Sequence, residues 1–318
     1  MTYILWTDTH FGVKQNSATW LNSQMDFIYK QFIPHIKSIE DDVTVVHLGD
    51  VFDSRSTIST LVATKVVEAF RDIKSVCKEV IVIGGNHDYY SPNSDEVDSL
   101  SLFLGPLGIT LVTKDVLYRN GDAFVPWYKW GEEMPEGFNG RIFAHSDIVT
   151  ETIPSCYAGI SIFTGHIHIP KIRTETGAYN IGSCYALNFA DANDWRGFYQ
   201  LKGTSWKFIP NVHSINYWRL YDDEIFDVYK NAQMKDWDYV EFYISQNNLE
   251  TVEYTEKLNE MMSRFKNARI VPQNEEVDSM DMEKFEGYNI EEIIKGMVPE
   301  HLKDKFGEVL RQLQNVPK

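Results

Sequence analysis

Cysteine is scarce: the 318 residues contain three, Cys77, Cys156 and Cys184. They form neither a C-x-x-C pair nor an even framework, so a disulfide scaffold is excluded and reduced thiols in a cytoplasmic protein are expected. Long apolar runs are missing as well, none approaching the roughly 18 residues of a membrane span. The opening Met1-Thr2-Tyr3-Ile4-Leu5-Trp6 lacks a basic leader and a small-residue cleavage site, and reads as mature sequence. Positive charge is short, with 30 Lys plus Arg against 46 Asp plus Glu and a formal net charge of −16. That balance argues against a protein that grips nucleic acid by a broad basic surface. Repeats and low-complexity tracts are absent. What remains is ordinary globular composition, 43% hydrophobic and 14% aromatic, enough to bury a sizeable core. The length allows one large domain with a smaller one appended, or two medium domains.

Up to about residue 215, short apolar runs alternate with helical stretches. The runs are Tyr3–Thr7, Val43–Leu48, Val80–Ile83, Arg141–Ala144 and Ile160–Thr164. Rich in Val, Ile and Phe and without clean alternation, they read as strands covered on both faces. A helical stretch over Thr19–Ile39 should be bent or broken by Pro34. Another, Ile58–Val76, carries a stripe of Leu61, Val62, Val66, Val67, Phe70 and Ile73. The layout predicts a layered α/β domain. Beyond residue 221, Tyr239–Ile244 alternates as a half-buried strand, Glu250–Lys266 has one apolar helical face, and Ala268–Val271 reads as a further strand. Asn274–Glu286 looks like an acidic linker. Two short amphipathic helices then follow, one with Ile290, Ile293, Ile294 and Met297, the other with Leu302, Phe306, Val309, Leu310 and Leu313. Each is near or below the roughly 12–15 residues at which an isolated helix is stable, so their apolar faces must pack on something.

The chemistry sits where the apolar runs end. Run one ends in Asp8-Thr9-His10, run two in Gly49-Asp50-Val51-Phe52-Asp53, run three in Gly84-Gly85-Asn86-His87-Asp88, run four in His145-Ser146-Asp147 and run five in Gly165-His166-Ile167-His168. In an open α/β sheet the carboxyl ends of the strands form the ligand crevice, so five strands deliver Asp, His and Asn to one edge. Imidazole with carboxylate suits Mn, Fe, Zn or Co better than Ca or Mg. The donors outnumber the needs of one ion, and two metals with Asp50 bridging use them all. Only Asp8 and Asp50 are charged, so two divalent cations leave an excess of about +2 that invites a phosphate and a hydroxide. His87, outside the ligand set, is placed to protonate a leaving oxygen, with a carboxylate such as Asp88 steadying its ring.

These residues resemble the signature of the calcineurin-like metallophosphoesterases. Gly49-Asp50-Val51-Phe52-Asp53 resembles the G-D-x-F-[DH] of SbcD-type double-strand-break repair nucleases, most of all their compact phage-encoded subunits, and Thr9-His10-Phe11-Gly12 fits the same group. Ile181-Gly182-Ser183 with Gly197-Phe198-Tyr199 resembles the strand pair that closes their nuclease domain. The resemblance implies a two-sheet α-β-β-α nuclease domain over 1–221, a small α+β DNA-capping domain over 222–280, and a linker with a helical partner-binding tail over 281–318. It implies one metal on Asp8, His10, Asp50 and His168 and another on Asp50, Asn86, His145 and His166. His87 becomes the catalytic histidine, and Asp53 stands at a supporting position. The implied metals are two Mn²⁺, with Mg²⁺ or others as alternatives. The implied activity is metal-dependent hydrolysis of DNA, 3′-to-5′ on duplex ends and endonucleolytic on single strands, in DNA replication, recombination and repair. The implied partners are DNA, an SMC-like ABC ATPase bound by the terminal helices, and a second copy of the chain through helices of the nuclease domain, for which Ile58–Val76 and Asp95–Leu104 are the candidates.

Weaker features carry two readings each. Pro126-Trp127-Tyr128-Lys129-Trp130 is read as a loop plugging core aromatics, with stacking on bases as the alternative. Lys171 and Arg173 are as well suited to a solvated strand face as to phosphate contact. His47 should be core. Two other functions compete with the nuclease: a phosphodiesterase or phosphatase acting on small nucleotides, which places phosphate on the same metals, and a scaffold subunit, which needs no leaving-group acid.

Overall fold

A computed structural model describes residues 1–148, 153–173, 177–222, 225–226 and 234–273. The first sheet joins β1 (Thr2–Trp6), β2 (Val43–His47), β3 (Glu79–Ile83) and β6 (Thr110–Val112), all parallel, to antiparallel β13 (Gly197–Lys202) and β14 (Ser205–Pro210); the order across it is β14-β13-β1-β2-β3-β6. The second joins parallel β8 (Asp122–Val125), β9 (Ile142–His145), β10 (Ile162–Gly165) and β12 (Ala178–Asn180), with β7 (Leu117–Arg119) and β11 (Lys171–Arg173) antiparallel at its edges. A hairpin of β4 (Tyr89–Ser91) and β5 (Ser94–Asp98) stands apart.

The layered two-sheet α/β architecture is thus present, and burial explains why its strands read as continuous apolar runs. Tyr3, Leu5, Val46, Leu48, Ile81 and Ile83 face the second sheet and meet Phe124, Phe143 and Phe163. Their neighbours Ile4, Trp6, Val45, Val80 and Val82 face the other way, onto Trp20, Phe27, Val66 and Phe70 of the helical layer. Both faces are therefore apolar. The outer face of the second sheet is covered, among the described residues, by Ile148, Tyr157 and the loops around the 3₁₀ turns Trp127–Lys129 and Ser155–Tyr157.

Helix Thr60–Ser75 forms within the expected stretch, capped by Ser59, whose side chain accepts from the Val62 amide. Val62, Val66, Ala69, Phe70 and Ile73 are buried, while Leu61 lies in the first turn and is 51% exposed. The expected break at Pro34 takes a defined form. Helix Ala18–Phe27 loosens into a π-helical turn, Ile28–Phe32, before Ile33–Lys37 resumes as α-helix. Pro34 has no amide to give, and the wider turn passes the chain by it without a sharp stop.

A third sheet is built from parallel β15 (Tyr217–Tyr221), β16 (Tyr239–Ser245) and β17 (Asn267–Gln273), with helix Val252–Met262 between the last two. Leu220, Val240, Phe242 and Ile244 pack on Leu258 and Met261 of that helix as a separate core. This β-α-β unit lies where the sequence reading puts it, and its sheet begins at Tyr217, ahead of the expected boundary at 222. The linker and the two terminal helices expected over 281–318 lie outside the described residues.

Candidate metal centre

Register brings the site together. Trp6, His47 and Val82 are side by side in β1, β2 and β3, and Gly165 pairs with His145 across β10 and β9. Within each sheet the strands end at about one level, and the chain leaves each in tight, irregular backbone. Asp8, His10, Asp50 and His166 have positive φ, from 41° to 87°. Non-glycine residues avoid that region unless their surroundings hold them, so the cost of the conformation falls on the residues that carry chemistry. Amide bonds lock the turns together: Asp8 N donates to Gly49 O at 3.0 Å and His10 N to Asp50 O at 3.1 Å. Several glycines around the site are required by space, Gly49 and Gly165 among them. A Cβ on Gly49 (φ 109°) would lie 2.4 Å from His145 Nδ1, and one on Gly165 would lie 2.1 Å from Thr7 Oγ1.

Two overlapping donor sets result. In one, Asn86 Oδ1 lies 3.1 Å from His145 Nε2 and 2.9 Å from His166 Nδ1, and His145 Nε2 is 3.4 Å from Asp50 Oδ2. In the other, His10 Nε2 lies 3.2 Å from His168 Nε2 and 3.8 Å from both Asp8 Oδ1 and Asp50 Oδ2. Asp8, His10 and His168 form one metal-sized cluster and Asp50, His145 and His166 another, while His10, Asp50 and His87 form a third that spans the two. Ligand bonds of about 2.0–2.2 Å put neighbouring donors on one ion roughly 3–3.6 Å apart, close to the 2.9–3.4 Å among Asn86, His145, His166 and Asp50 and the 3.2 Å between His10 and His168, while His10 stands 3.8 Å from the two carboxylates.

The donors also suit cations chemically. His145 Nδ1 lies 2.7 Å from the Leu48 carbonyl, which can only accept, so Nδ1 carries a proton and Nε2 is the nitrogen that faces the cluster and would bind a metal on losing its own proton. Two imidazole nitrogens at 3.2 Å, as in His10 and His168, leave an acceptor facing an acceptor unless a proton or a metal sits between them. Burial works against a charged His145 ring, but Asp50 outweighs it and raises the pKa to about 9 in the metal-free chain. Burial alone would raise the Asp50 carboxyl; His145, with His10 and His87, holds it well below the usual range. Burial lowers His10 and His166.

His87 stands beside the donors, its ring edge-on to His10 at 5.0 Å. Its amide donates to Asp50 Oδ1 at 2.8 Å, and its Nδ1 lies 2.6 Å from the Asp53 carbonyl oxygen. A backbone carbonyl therefore steadies the ring, where the sequence reading expected a carboxylate. The Asp88 carboxylate is turned away from His87. It accepts the amides of Gly85, Asp50, Val51 and Phe52 at 2.9–3.3 Å and so braces the loop that presents Asp50. Burial and the neighbouring Asp50 push its pKa up to about 8, against the pull of those amides. The Asp53 carboxylate lies 3.6 Å from His10 Nδ1, a buried atom without a hydrogen-bond partner.

Three residues join the site that the strand-end pattern did not single out as part of it. His47 is core, as expected, and lies between Thr9 Oγ1 and the Gly49 amide, behind the ligand turns. Trp127 leans on His166 at 4.9 Å and His145 at 5.8 Å, whereas Trp130 in the same loop packs on Tyr157. The loop thus both plugs a core and walls the cluster; its position directly after β8, next to the strand bearing His145, is the signal that it lies near the site. Arg196 is buried and donates to the His168 carbonyl. Lys171 is exposed on edge strand β11.

No curated protein matches the sequence. Among solved structures, the chain is similar to the nuclease MPE of Pseudomonas putida, with 18% identity, a TM-score of 0.30 and coverage of 52% of this chain and 61% of that one. It is also similar to the phosphopantetheinyl hydrolase PptH of Mycobacterium tuberculosis, with 14% identity, a TM-score of 0.32 and coverage of 57% and 89%. The chain thus spans about three fifths of the length of the first of these. Residues 1–260, which contain every donor described above, match the family described as calcineurin-like phosphoesterase, and the chain belongs to that family.

Proposed function

We propose that the chain is a dimetal DNA nuclease subunit that cuts phosphodiester bonds. The observation that carries this reading is the convergence of seven donors from five strand ends on one edge, with an eighth polar group, His87, beside them; we assign His87 to the leaving oxygen and the other seven to the metals. The family binds two divalent metals, and the clusters of Asp8, His10 and His168 and of Asp50, His145 and His166 fit this. Asn86 completes the second set. When bound, the two cations polarise the phosphate and lower the pKa of an attacking water.

The protein's own part follows from the geometry. His87 Nδ1 is committed to the Asp53 carbonyl, so Nε2 is the nitrogen that gives a proton to the leaving oxygen. Asp53 holds that ring through its backbone and faces His10 with its carboxylate. Asp88 keeps the Asp50 loop in place. Manganese is proposed as the metal because the resemblance to SbcD-type nucleases implies it; the mixed imidazole and carboxylate donors suit Mn, Fe, Zn or Co alike.

DNA is the proposed substrate because the Gly49-Asp50-Val51-Phe52-Asp53 turn resembles that of SbcD-type nucleases and a β-α-β unit follows the two-sheet domain, as their capping domain does. The exposed Leu61 and Leu102, 51% and 69% accessible, support a homodimer through the two segments named from the sequence. Residues 287–318 are proposed to bind an SMC-like ATPase, so deleting them abolishes that complex on a sizing column and spares basal cleavage.

The test is incubation with Mn²⁺ of a labelled linear duplex and, separately, of a small phosphodiester. Wild type degrades the duplex; His10→Ala and His87→Ser lose activity by about 10²-fold or more. Hydrolysis of the small ester with no DNA degradation, ATPase partner included, overturns the nuclease reading in favour of a small-nucleotide phosphodiesterase.

A further inference from the structure

His168 lies beyond the end of β10, where no strand ladder fixes its backbone. Three successive carbonyls of this turn are held from outside. Asn180 Nδ2 donates to the carbonyls of Ile167 and Ile169 at 2.7 and 2.8 Å. The His168 carbonyl between them accepts the Ser183 amide at 3.0 Å and Arg196 Nη1 at 2.6 Å. The Arg196 side chain is 1% exposed. Its Nη2 lies 2.9 Å from Asp191 Oδ1, and the other oxygen of Asp191 accepts the Leu187 amide at 2.8 Å.

A guanidinium buried this close to a site for two cations has two costs, its own desolvation and repulsion of the metals. Asp191 offsets the charge. A neutral donor would also satisfy the carbonyl, as Ser183 already does. What arginine adds is a planar fork that bonds a carboxylate and a carbonyl at once, with little freedom left in either. The far end of His168 is the nitrogen that meets His10 Nε2 at 3.2 Å and Asp8 Oδ1 at 3.9 Å. A small rotation of the His168 peptide would carry that nitrogen out of the donor set.

We propose that Arg196 is a positioning residue for His168, and that the Asp191–Arg196 pair sets the affinity of the metal position formed by Asp8, His10, Asp50 and His168. Lysine at 196 keeps the charge beside Asp191 but, as a single ammonium on a flexible stem, does not hold both partners in one plane.

The test is calorimetric titration of the full-length, metal-free chain with MnCl₂. Wild type binds two ions. Arg196→Lys weakens one binding event by about tenfold or more, the size expected when a group behind a ligand is lost, and leaves the other within about twofold. His168→Ala weakens the same event, and adding Arg196→Lys to His168→Ala costs little further. Melting of the metal-free proteins confirms that each variant is folded. Wild-type affinity at both positions in folded Arg196→Lys, equal weakening of both, or a loss that adds fully to that of His168→Ala overturns the proposal. Where Arg196→Lys does not fold, Asp191→Asn takes its place: selective weakening of the same event supports the proposal, and wild-type affinity at both positions overturns it.

Discussion

Gly165 has no side chain because there is no room for one. A Cβ there would lie 2.1 Å from Thr7 Oγ1 and 2.8 Å from Asp8 Oδ2, where β10 passes the first ligand turn. Gly165→Ala must therefore push Asp8 out of place. Overpacking of this kind costs about 1–3 kcal/mol, and the displaced ligand should weaken Mn²⁺ binding by about tenfold or more. Melting and metal titration of the variant check both; an unchanged affinity contradicts the crowding described. His47 gives a pH-dependent prediction. Burial, with the nearby His145, depresses its pKa from 6.5 to about 3. The unfolded chain takes up this proton as pH falls through 6.5, while the folded chain resists until about 3. Stability from the neutral ring is thus full above 6.5 and is lost as pH falls towards 3. Denaturant midpoints of the metal-free protein should drop on acidification from about pH 8 to about pH 5, and less steeply in His47→Gln. Equal slopes would contradict this. The positions of the clustered donors were legible because each follows an apolar run. The contacts of Asp88 were not, since adjacency to His87 in the chain says nothing of direction: the two side chains leave a tight turn on opposite sides, one to the Asp53 carbonyl and the other to four amides.

Elements position these residues without touching the chemistry. Helix Thr60–Ser75 presses Val66 and Phe70 against the back of the first sheet, and its start depends on Ser59 accepting the Val62 amide at 3.2 Å. Ser59→Ala should lower stability by about 1 kcal/mol and leave Mn²⁺ affinity unchanged. A shift in metal affinity without a loss of stability would show that the helix start is coupled to the site. The helix was legible from its 3.6-residue period, but the exposure of Leu61 was not, because the stripe alone does not say which first-turn residue the sheet covers. β15 was equally hard to assign. Its sequence resembles the preceding strands, and only its pairing with β16 places it in the third sheet. Its link back to the first domain is direct: Asn193 exchanges hydrogen bonds with the Arg219 backbone, and Phe189 lies edge-on to Tyr217 at 4.9 Å. The same short segment carries Asp191, the partner of Arg196.

At the scale of the whole molecule the acidity found at the outset is uneven. Residues 222–318 hold 22 acidic and 12 basic side chains, against 24 and 18 in the first 221. The two-sheet domain is only mildly acidic, and two bound cations would add +4 at its donor edge. The charge therefore speaks against tight, autonomous binding of DNA. Without metal and at physiological salt, the isolated chain should bind duplex no better than about micromolar, in the range of non-specific contacts. Nanomolar binding under those conditions would contradict this.

The central claim is that seven residues hold two metals while His87 works on the leaving oxygen without holding either. Metal content and phosphodiester cleavage measured together on wild type and His87→Ser test it most directly. The account predicts two Mn²⁺ per chain in both proteins and a rate lower by about 10²–10⁴-fold in the variant. A variant that loses a metal, or one that keeps both metals and the wild-type rate, would contradict it.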